Sequence, residues 1–269
     1  MQNADKLVYW VQERDRIRQL KEAGAPKPWT SDWVFQQTYF CNVRREDDKV
    51  TRWIREHWSN PGNPNFEVAM VAARLLNWPP TLGIVGFPDG DIIQWIHDLD
   101  HLRDHEGKVW GNAYVVTTHG QRMDKITYLQ SVLESCVDTK LRHRILLKAQ
   151  ELRLVADQLM QVNGIGSFLA SQVVADLKNT YGHACQDAKD WHTFAGHGPG
   201  SLRGLTWLYG YKCTPKKFSS MMEGAHELIV EETGMAICRQ DAQNCMCEFD
   251  KYMRVLTGTG RSKRGYQGA

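Results

Sequence analysis

Apolar side chains recur at helical intervals along most of the chain, between polar or proline-containing stretches that end each segment. Helices are predicted over 5–23, 47–58, 66–77, 90–104, 167–177, 216–232 and 241–256. A short helix capped by Thr30 or Ser31 is expected before the second of these, and the helical periodicity over 125–162 is interrupted near Asp138. A short strand is predicted at 111–118, so the expected fold is mainly α with a short β element.

No internal repeat or linker divides the 269 residues, so we expect one two-lobed helical domain spanning 1–269. The net charge is only +2, and affinity for nucleic acid must therefore come from locally clustered lysine and arginine. Seven irregularly spaced cysteines favour reduced thiols, and the apolar runs are too short to span a membrane. The sequence thus predicts a soluble intracellular protein with no membrane partner.

The strongest local signal is a pair of apolar helices joined by a glycine turn, which predicts a helix-hairpin-helix at about 152–177. Glycines permit a tight turn, and free N–H groups at the start of the second helix suit a DNA phosphate. The predicted contacts to the DNA backbone are Asn163, Gly164, Gly166, Ser167 and Lys178. An ordinary αα-hairpin is the alternative interpretation.

Two carboxylates and a second glycine turn follow the hairpin. Asp187 and Asp190 lie 21 and 24 residues after Gly166, and the catalytic aspartate of helix-hairpin-helix DNA glycosylases follows its hairpin at a similar separation. Residues 198–201, Gly-Pro-Gly-Ser, form either a second phosphate cradle or a plain turn. The segment 182–204 is rich in Gly, His and Asp and is predicted to be a functional loop.

Other motifs limit the chemistry. No G-x-x-x-x-G-K-[ST] sequence occurs, which excludes a P-loop kinase as an interpretation of these residues. His97, His101 and His105 have metal-ligand spacing but project away from the apolar stripe of their helix, so a solvated face is the better interpretation. The C-x₆-C-x-C spacing at 238–247 does not match an iron–sulfur site, so we predict free thiols and no metal site.

The N-terminal third concentrates polar and aromatic residues between two predicted helices. Asn42, Arg44 and Arg45 fall where side chains converge on a ligand, and Arg14 or Arg45 is suited to a bidentate phosphate contact. A salt-bridged surface formed with the neighbouring acidic residues is the alternative.

Seven segments spread over nearly the whole chain form a recognisable set. They are Glu13-Arg14, Pro28-Trp29-Thr30-Ser31-Asp32, Phe40-Cys41-Asn42-Val43-Arg44-Arg45-Glu46-Asp47, Gly111-Asn112-Ala113-Tyr114, Asn163-Gly164-Ile165-Gly166, Gly198-Pro199-Gly200-Ser201-Leu202-Arg203-Gly204 and Cys247-Glu248-Phe249-Asp250-Lys251-Tyr252. The set resembles the α-glutamyl/putrescinyl thymine pyrophosphorylases, also called amino acid:DNA transferases. Their helical module is also fused to phage 5-hydroxymethyluracil DNA kinases.

The resemblance implies a fold related to helix-hairpin-helix DNA glycosylases and a role in hypermodifying phage DNA in the cytoplasm of the infected bacterial host. The implied substrates are double-stranded DNA and a free amino acid. The DNA base would be a thymine that carries phosphate or pyrophosphate on its 5-methylene group, and an amine would replace that leaving group. A DNA-base kinase would act upstream. The residues establish no cofactor, and whether Mg²⁺ assists at the leaving phosphate stays open.

The implied reaction requires a flipped base, because the base edges are hidden in a duplex. We predict stacking on the base by Trp29, Phe40 and Trp191, and recognition of its Watson–Crick edge by Gln36 or Asn42.

The leaving group requires cations, and the attacking amine requires a proton acceptor. The predicted contacts to the leaving phosphate are Arg14, Arg44, Arg45 and Ser201. The predicted proton acceptors are Asp32, Asp187 and Asp190. Displacement is either direct or through an exocyclic methide. Glycine, serine, glutamate, ornithine and putrescine are all chemically reasonable amines. We expect a small amino acid, with glycine as the first choice, because no acidic cluster stands out to hold a diamine.

Two other functions compete with the transferase. One is a DNA glycosylase, which requires Asp190 beside the sugar of the flipped nucleotide. The other is a non-catalytic DNA-binding module, such as the helical domain of a kinase separated from its partner. A pocket with no room for an amino acid beside the base would favour the module.

Overall fold

The computed structural model describes residues 2–106, 108–111 and 123–260. Over these ranges the backbone forms thirteen α-helices and no β-strand, which confirms the mainly α prediction. They are α1 (Asn3–Glu22), α2 (Trp33–Gln37), α3 (Lys49–His57), α4 (Phe66–Leu76), α5 (Pro79–Val85), α6 (Ile92–Glu106), α7 (Lys125–Asp138), α8 (Leu141–Leu146), α9 (Leu152–Met160), α10 (Ser167–Asn179), α11 (Pro199–Tyr209), α12 (Phe218–Thr233) and α13 (Arg239–Leu256). The strand predicted at 111–118 lies outside the described residues, Gly111 excepted.

The helices divide into two compact units. Unit 1 is built from both ends of the chain, from the described residues of 1–48 and of 192–269, and contains α1, α2 and α11 to α13. Unit 2 is the continuous segment Lys49–Trp191 and contains α3 to α10. In the ranges that the structure describes, no helix is both long enough and apolar enough to cross a bilayer.

The core of unit 1 forms around the first helix. Leu7, Trp10 and Val11 on α1 are fully buried. The Trp10 ring stacks on Phe35 at 6.3 Å between centroids and meets Phe40 edge-on at 5.8 Å. These aromatic contacts attach α2 and the chain that follows it to α1.

Two glycines let α11 and α13 approach at backbone distance. A Cβ atom added to Gly204 would lie 2.1 Å from the carbonyl oxygen of Met246, and one added to Gly200 would lie 3.2 Å from Sγ of Cys247. The residues 199–204 are therefore part of a packed helix, although the sequence predicts a functional loop over 182–204.

Unit 2 is organised around α4, which is buried along its whole length. The buried guanidinium of Arg74 forms a bidentate ion pair with Asp176 on α10. Glu67 accepts hydrogen bonds from Arg142 at 2.7 Å and from His183 at 3.1 Å. Because buried charges need such partners, these pairs fix how α4 packs on α10 and α8.

We predict that Gly204→Ala destabilises unit 1 strongly. The new methyl group has no room against the Met246 carbonyl, so α11 and α13 must separate, at a cost of about 3 kcal/mol or more in the free energy of unfolding. Urea denaturation followed by circular dichroism measures the change. Gly83→Ala on α5 is the control, because its added Cβ makes an ordinary 3.5 Å contact with Trp53. Equal stability of the two variants would contradict the close helix contact.

Candidate functional site

A cleft in unit 1 opens between α1, α2 and the chain on either side of α2. The space open to the centre of a water molecule is about 60 Å³, within about 540 Å³ of empty space that includes the open mouth of the cleft. The lining residues are Arg14, Ile17, Lys21, Pro28, Trp29, Thr30, Phe35, Gln36, Thr38, Tyr39 and Phe40. Four side chains predicted from the sequence are thus brought together: Arg14, Trp29, Gln36 and Phe40.

Trp29 gives the cleft an aromatic surface with positive charge close by. Its indole N–H donates to the Ala25 carbonyl at 2.8 Å, which fixes the ring. The ammonium groups of Lys21 and Lys27 lie 5.8 and 4.9 Å from the ring centroid. An aromatic ring flanked by two cations suits a flat base that carries a negatively charged group. Sequence analysis missed both lysines, whose signal is their proximity to the Pro28-Trp29 motif.

Gln36 and Phe40 contribute differently from each other. The Gln36 side chain donates to the Thr30 carbonyl at 2.9 Å, which holds its amide at the cleft wall. Phe40 is buried, and its ring centroid lies 5.0 Å from that of Phe35 and 6.2 Å from that of Tyr252. Phe40 is therefore mainly a core residue whose edge lines the cleft.

Arg14 forms hydrogen bonds with the loop that follows α2. Its Nε donates to the carbonyl oxygens of Phe40 at 3.2 Å and Cys41 at 2.9 Å, and its Nη2 donates to the side-chain oxygen of Asn42. The Asn42 amide in turn donates to the Asp47 carbonyl at 2.8 Å. Both side chains thus stabilise the loop. These contacts occupy the polar groups with which Arg14 is predicted to bind phosphate and Asn42 to recognise the base.

The same loop is tied to α13 through residues that the sequence analysis did not select. The Cys41 N–H donates to Glu248 at 3.0 Å, and Lys251 forms an ion pair with Glu248 at 2.7 Å. Lys251 also donates to the Tyr39 carbonyl at 3.2 Å. Glu248 and Lys251 both lie in the 247–252 motif. The motif therefore marked these residues, but it did not indicate which residues they contact.

Ionisable groups gather beside this loop. Asp48 accepts a hydrogen bond from the Asn42 N–H at 3.0 Å, and burial raises the pKa of its carboxyl group to about 6, although Arg45 and Arg14 oppose the shift. Burial and the nearby carboxylates of Glu248 and Asp48 raise the pKa of the Cys41 thiol well above its usual range. Cys41 is therefore protonated at neutral pH, which makes it a poor nucleophile.

Arg45 is predicted to contact a phosphate, but the structure buries it. The residue is 7% exposed, and its Nε has no hydrogen-bond partner among the described residues. Its backbone N–H donates to Asp241 at 3.0 Å at the start of α13. Arg44 is more exposed, and its Nε lies 3.5 Å from the Ala236 carbonyl. The two arginines therefore stand in different environments, and neither lines the cleft.

Asp32 caps α2 and has four donors around its two oxygens. One oxygen accepts from the N–H groups of Val34 at 2.7 Å and Phe35 at 3.4 Å, so Asp32 is the cap, not Thr30 or Ser31 as predicted. The second carboxylate oxygen of Asp32 accepts from the hydroxyl groups of Tyr9 at 3.1 Å and Tyr252 at 2.9 Å. Burial and Asp32 raise the pKa of both phenols, so they stay protonated donors. This saturation argues against Asp32 as proton acceptor.

Ser201 is fully buried at the start of α11. Its hydroxyl accepts from the Gly198 N–H at 3.0 Å and lies 3.1 Å from the Gly198 carbonyl. The Gly-Pro-Gly-Ser turn thus begins a helix packed on α13, and this placement favours the plain-turn interpretation over a phosphate cradle.

In unit 2, α9 and α10 are joined by the glycine turn in the order that the sequence predicts. Gly164 has φ +89°, and its carbonyl accepts from the Tyr128 hydroxyl at 3.2 Å. Asn163 and Gly166 are exposed, and Ser167 is the first residue of α10. The backbone N–H groups at the start of α10 therefore lie at an exposed turn.

Lys178 and Trp191 pack against each other through a cation–π contact and two hydrogen bonds. The Lys178 ammonium lies 4.1 Å from the centroid of the Trp191 ring and donates to the Trp191 carbonyl at 3.0 Å, and the indole N–H donates to the Lys178 carbonyl at 3.0 Å. Lys178 is 1% exposed. Such burial argues against the predicted phosphate contact of Lys178 and gives Trp191 a structural role.

The two aspartates after the hairpin differ in environment. Asp190 accepts from the N–H groups of Leu152 at 2.7 Å and Arg153 at 3.0 Å, so it caps the first helix of the hairpin. Asp187 is exposed at the end of a short 3₁₀ turn. Neither aspartate belongs to the lining of the unit 1 cleft.

His97, His101 and His105, which the sequence predicts to form a solvated face and not a metal site, are all exposed on α6. Among the described residues, no group of three or more His, Cys, Asp or Glu side chains is arranged to hold a metal ion. The seven cysteines are free thiols.

Comparison with known proteins gives one family. A family model described as the helical domain of 5-hmdU DNA kinase matches residues 2–262 of the chain. No curated protein and no solved structure matches the chain.

We predict that Asp48→Asn changes the pH dependence of stability. The raised pKa of Asp48 in the folded protein means that its ionisation disfavours folding, so this contribution to stability is fully present below pH 4 and is lost as the pH rises through about 6. Asp48→Asn should therefore gain stability relative to wild type over that window, on the order of 1–3 kcal/mol. Urea titrations at several pH values measure it, and parallel curves for the two proteins would contradict the buried carboxyl group.

We predict that Gly164→Ala disrupts the hairpin turn. Its φ is positive, and an added Cβ would lie 2.6 Å from Val132 and 2.8 Å from the Tyr128 hydroxyl, which costs about 1–3 kcal/mol. Gly166→Ala is the matched control, because no atom lies within 4 Å of its added Cβ. Urea denaturation is compared for both variants. Equal stability of the two variants would contradict a turn that needs glycine at position 164.

Proposed function

This chain belongs to the family of 5-hmdU DNA kinase helical domains, and from that premise we propose that it is an amino acid:DNA transferase. The family connects the chain with modification of a thymine-derived base in DNA. The proposed substrate is DNA in which the 5-methylene group of that base carries phosphate or pyrophosphate. The enzyme flips the base out of the duplex and couples an amino acid to it.

The cleft of unit 1 is the observation that carries this proposal. Trp29 and Gln36 both line it. In the proposed complex the Trp29 ring stacks on the flipped base, and the Gln36 amide oxygen accepts a hydrogen bond from its edge. Lys21 lines the same opening, and together with Lys27, which lies beside the Trp29 ring, it balances the charge of the leaving phosphate. Two cations beside the ring suit a phosphorylated pyrimidine better than a neutral one.

The reaction exchanges one bond at the 5-methylene carbon for another. The C–O bond to the leaving group breaks and the oxygen keeps the electron pair, while the amine nitrogen forms a C–N bond and loses a proton. We assign that proton to solvent at the open mouth of the cleft, because no Asp or Glu within the described ranges lines it and because Asp32 and Asp190 are already engaged by several donors.

The proposed amine is glycine. No Asp or Glu occurs among the described residues that line the cleft, so nothing there would hold the second ammonium group of a diamine. The cations that balance the leaving group also suit the carboxylate of an amino acid. Both direct displacement and a methide intermediate followed by amine addition are compatible with this arrangement.

The name of the family favours a second candidate function. Under this second proposal the chain is a helical domain that binds DNA beside a separate kinase catalytic domain and has no chemistry of its own. The same cleft then presents the flipped base to a partner that carries the P-loop. The exposed hairpin turn of unit 2 supports DNA contact under either function.

We expect the purified protein to attach glycine to DNA that contains phosphorylated or pyrophosphorylated 5-hydroxymethyluracil. Nucleosides are analysed by mass spectrometry after digestion, with other amino acids and putrescine tested in parallel. A gain of one glycine residue would establish the transferase. Unchanged nucleosides with retained DNA binding would support the helical module of a kinase, and abasic sites would indicate a glycosylase instead.

We predict that Trp29→Ala lowers transfer by about tenfold to a hundredfold, because loss of one base-stacking contact costs about 1–3 kcal/mol. Trp33→Ala is the matched control, since Trp33 is 47% exposed in the same unit and does not line the cleft. The ratio kcat/KM for DNA is measured for both. An equal effect of the two substitutions would contradict the assignment of the cleft to the base.

A further inference from the structure

An exposed loop between α11 and α12 combines aromatic rings with lysines. Tyr209 and Tyr211 are 36% and 51% exposed, and their ring centroids lie 6.0 Å apart. The ammonium of Lys217 lies 5.3 Å from the Tyr211 centroid, and Lys212 and Lys216 are exposed beside it. We call these five residues the Tyr–Lys patch. None of them lines the cleft or belongs to the predicted hairpin contacts.

The patch is a fixed surface, since several hydrogen bonds hold its loop. The Tyr209 hydroxyl donates to the Met221 carbonyl at 3.0 Å, and the Cys213 N–H donates to the Thr206 hydroxyl at 3.0 Å. The Lys217 N–H closes a turn to the Thr214 carbonyl at 2.9 Å. The loop therefore presents its rings without a large ordering cost when a ligand binds.

The charge of the patch is unusual for this chain. Residues 210–217 contain three lysines and no acidic residue, whereas the whole protein has a net charge of only +2. Of the four exposed acidic residues on α12, Glu223 is paired with Arg239 at 2.8 Å, and Glu231 and Glu232 lie at the far end of the helix. Glu227 lies close enough to Tyr209 to help burial raise the pKa of its phenol. The positive charge is therefore concentrated on the loop, with Glu227 as an acidic neighbour at the Tyr209 side.

We propose that the Tyr–Lys patch binds a DNA strand with unpaired bases. Its lysines contact successive phosphates, and the exposed face of Tyr211 stacks on a base. Exposed aromatic rings are of little use to a surface that binds only the outside of a duplex, but they suit bases that have left the stack. The patch lies in unit 1 and is a DNA contact additional to the hairpin turn of unit 2. It does not depend on the proposed transfer chemistry.

Binding of a short fluorescent oligothymidylate to the full chain tests the proposal. Lys212→Gln combined with Lys216→Gln should make the slope of log Kd against log salt shallower by about 1.4, because each lost phosphate contact removes about 0.7 for a single strand. The control combines Lys49→Gln with Lys148→Gln, which removes the same charge from two other exposed lysines and should leave the slope unchanged. Equal slopes for the two double variants would overturn the proposal.

The aromatic part is tested separately. Tyr211→Ala should weaken oligothymidylate binding about tenfold, while Tyr211→Phe, which keeps the ring, should bind like the wild type. Loss of affinity in neither variant would overturn the stacking contact, as would equal competition by polyglutamate, which carries charge without bases. Because binding is measured without an amine or a leaving group, failure of glycine transfer would leave this result interpretable.

Discussion

The loop that follows α2 is the constraint on which the cleft depends. A loop that turns against a helical core leaves backbone N–H and carbonyl groups that no helix satisfies, and each must find a partner. Arg14 supplies donors to the carbonyl groups of Phe40 and Cys41, while Glu248 accepts from the Cys41 N–H. Side chains from the first and last helices thus hold one loop, and the open side of that loop is the cleft wall.

This constraint also explains the uneven distribution of charge. The side chains that hold the loop are charged groups with short contacts, as in the ion pair of Lys251 and Glu248 at 2.7 Å. They are therefore occupied with structure, whereas Lys21 and Lys27 lie beside the Trp29 ring. Asp48, at the end of the loop, is left in surroundings that raise its pKa. Structure and proposed chemistry thus use different members of one polar cluster.

Most of the helices could be predicted from the sequence, because apolar spacing and glycine turns are local properties, but α5 and the first turns of α11 were not predicted. The first helix and the hairpin turn follow from local motifs, whereas the grouping of Arg14 with Trp29 follows from the family resemblance. Roles that depend on distant partners could not be predicted. Lys178 is covered by Trp191, and Asp32 is engaged by Tyr252, which lies 220 residues away in the chain. A polar residue in a motif has the same sequence signal whether it binds a ligand or holds the fold.

The central claim is that the flipped base lies against Trp29 in the cleft of unit 1. Photocrosslinking tests it most directly, using a duplex that carries 5-iodouracil at the position of the modified thymine. The irradiated complex is digested, and mass spectrometry locates the crosslinked residue. The account predicts a crosslink within residues 28–40, with Trp29 as the main product, and its loss in Trp29→Ala. Crosslinks confined to Lys49–Trp191 would contradict it.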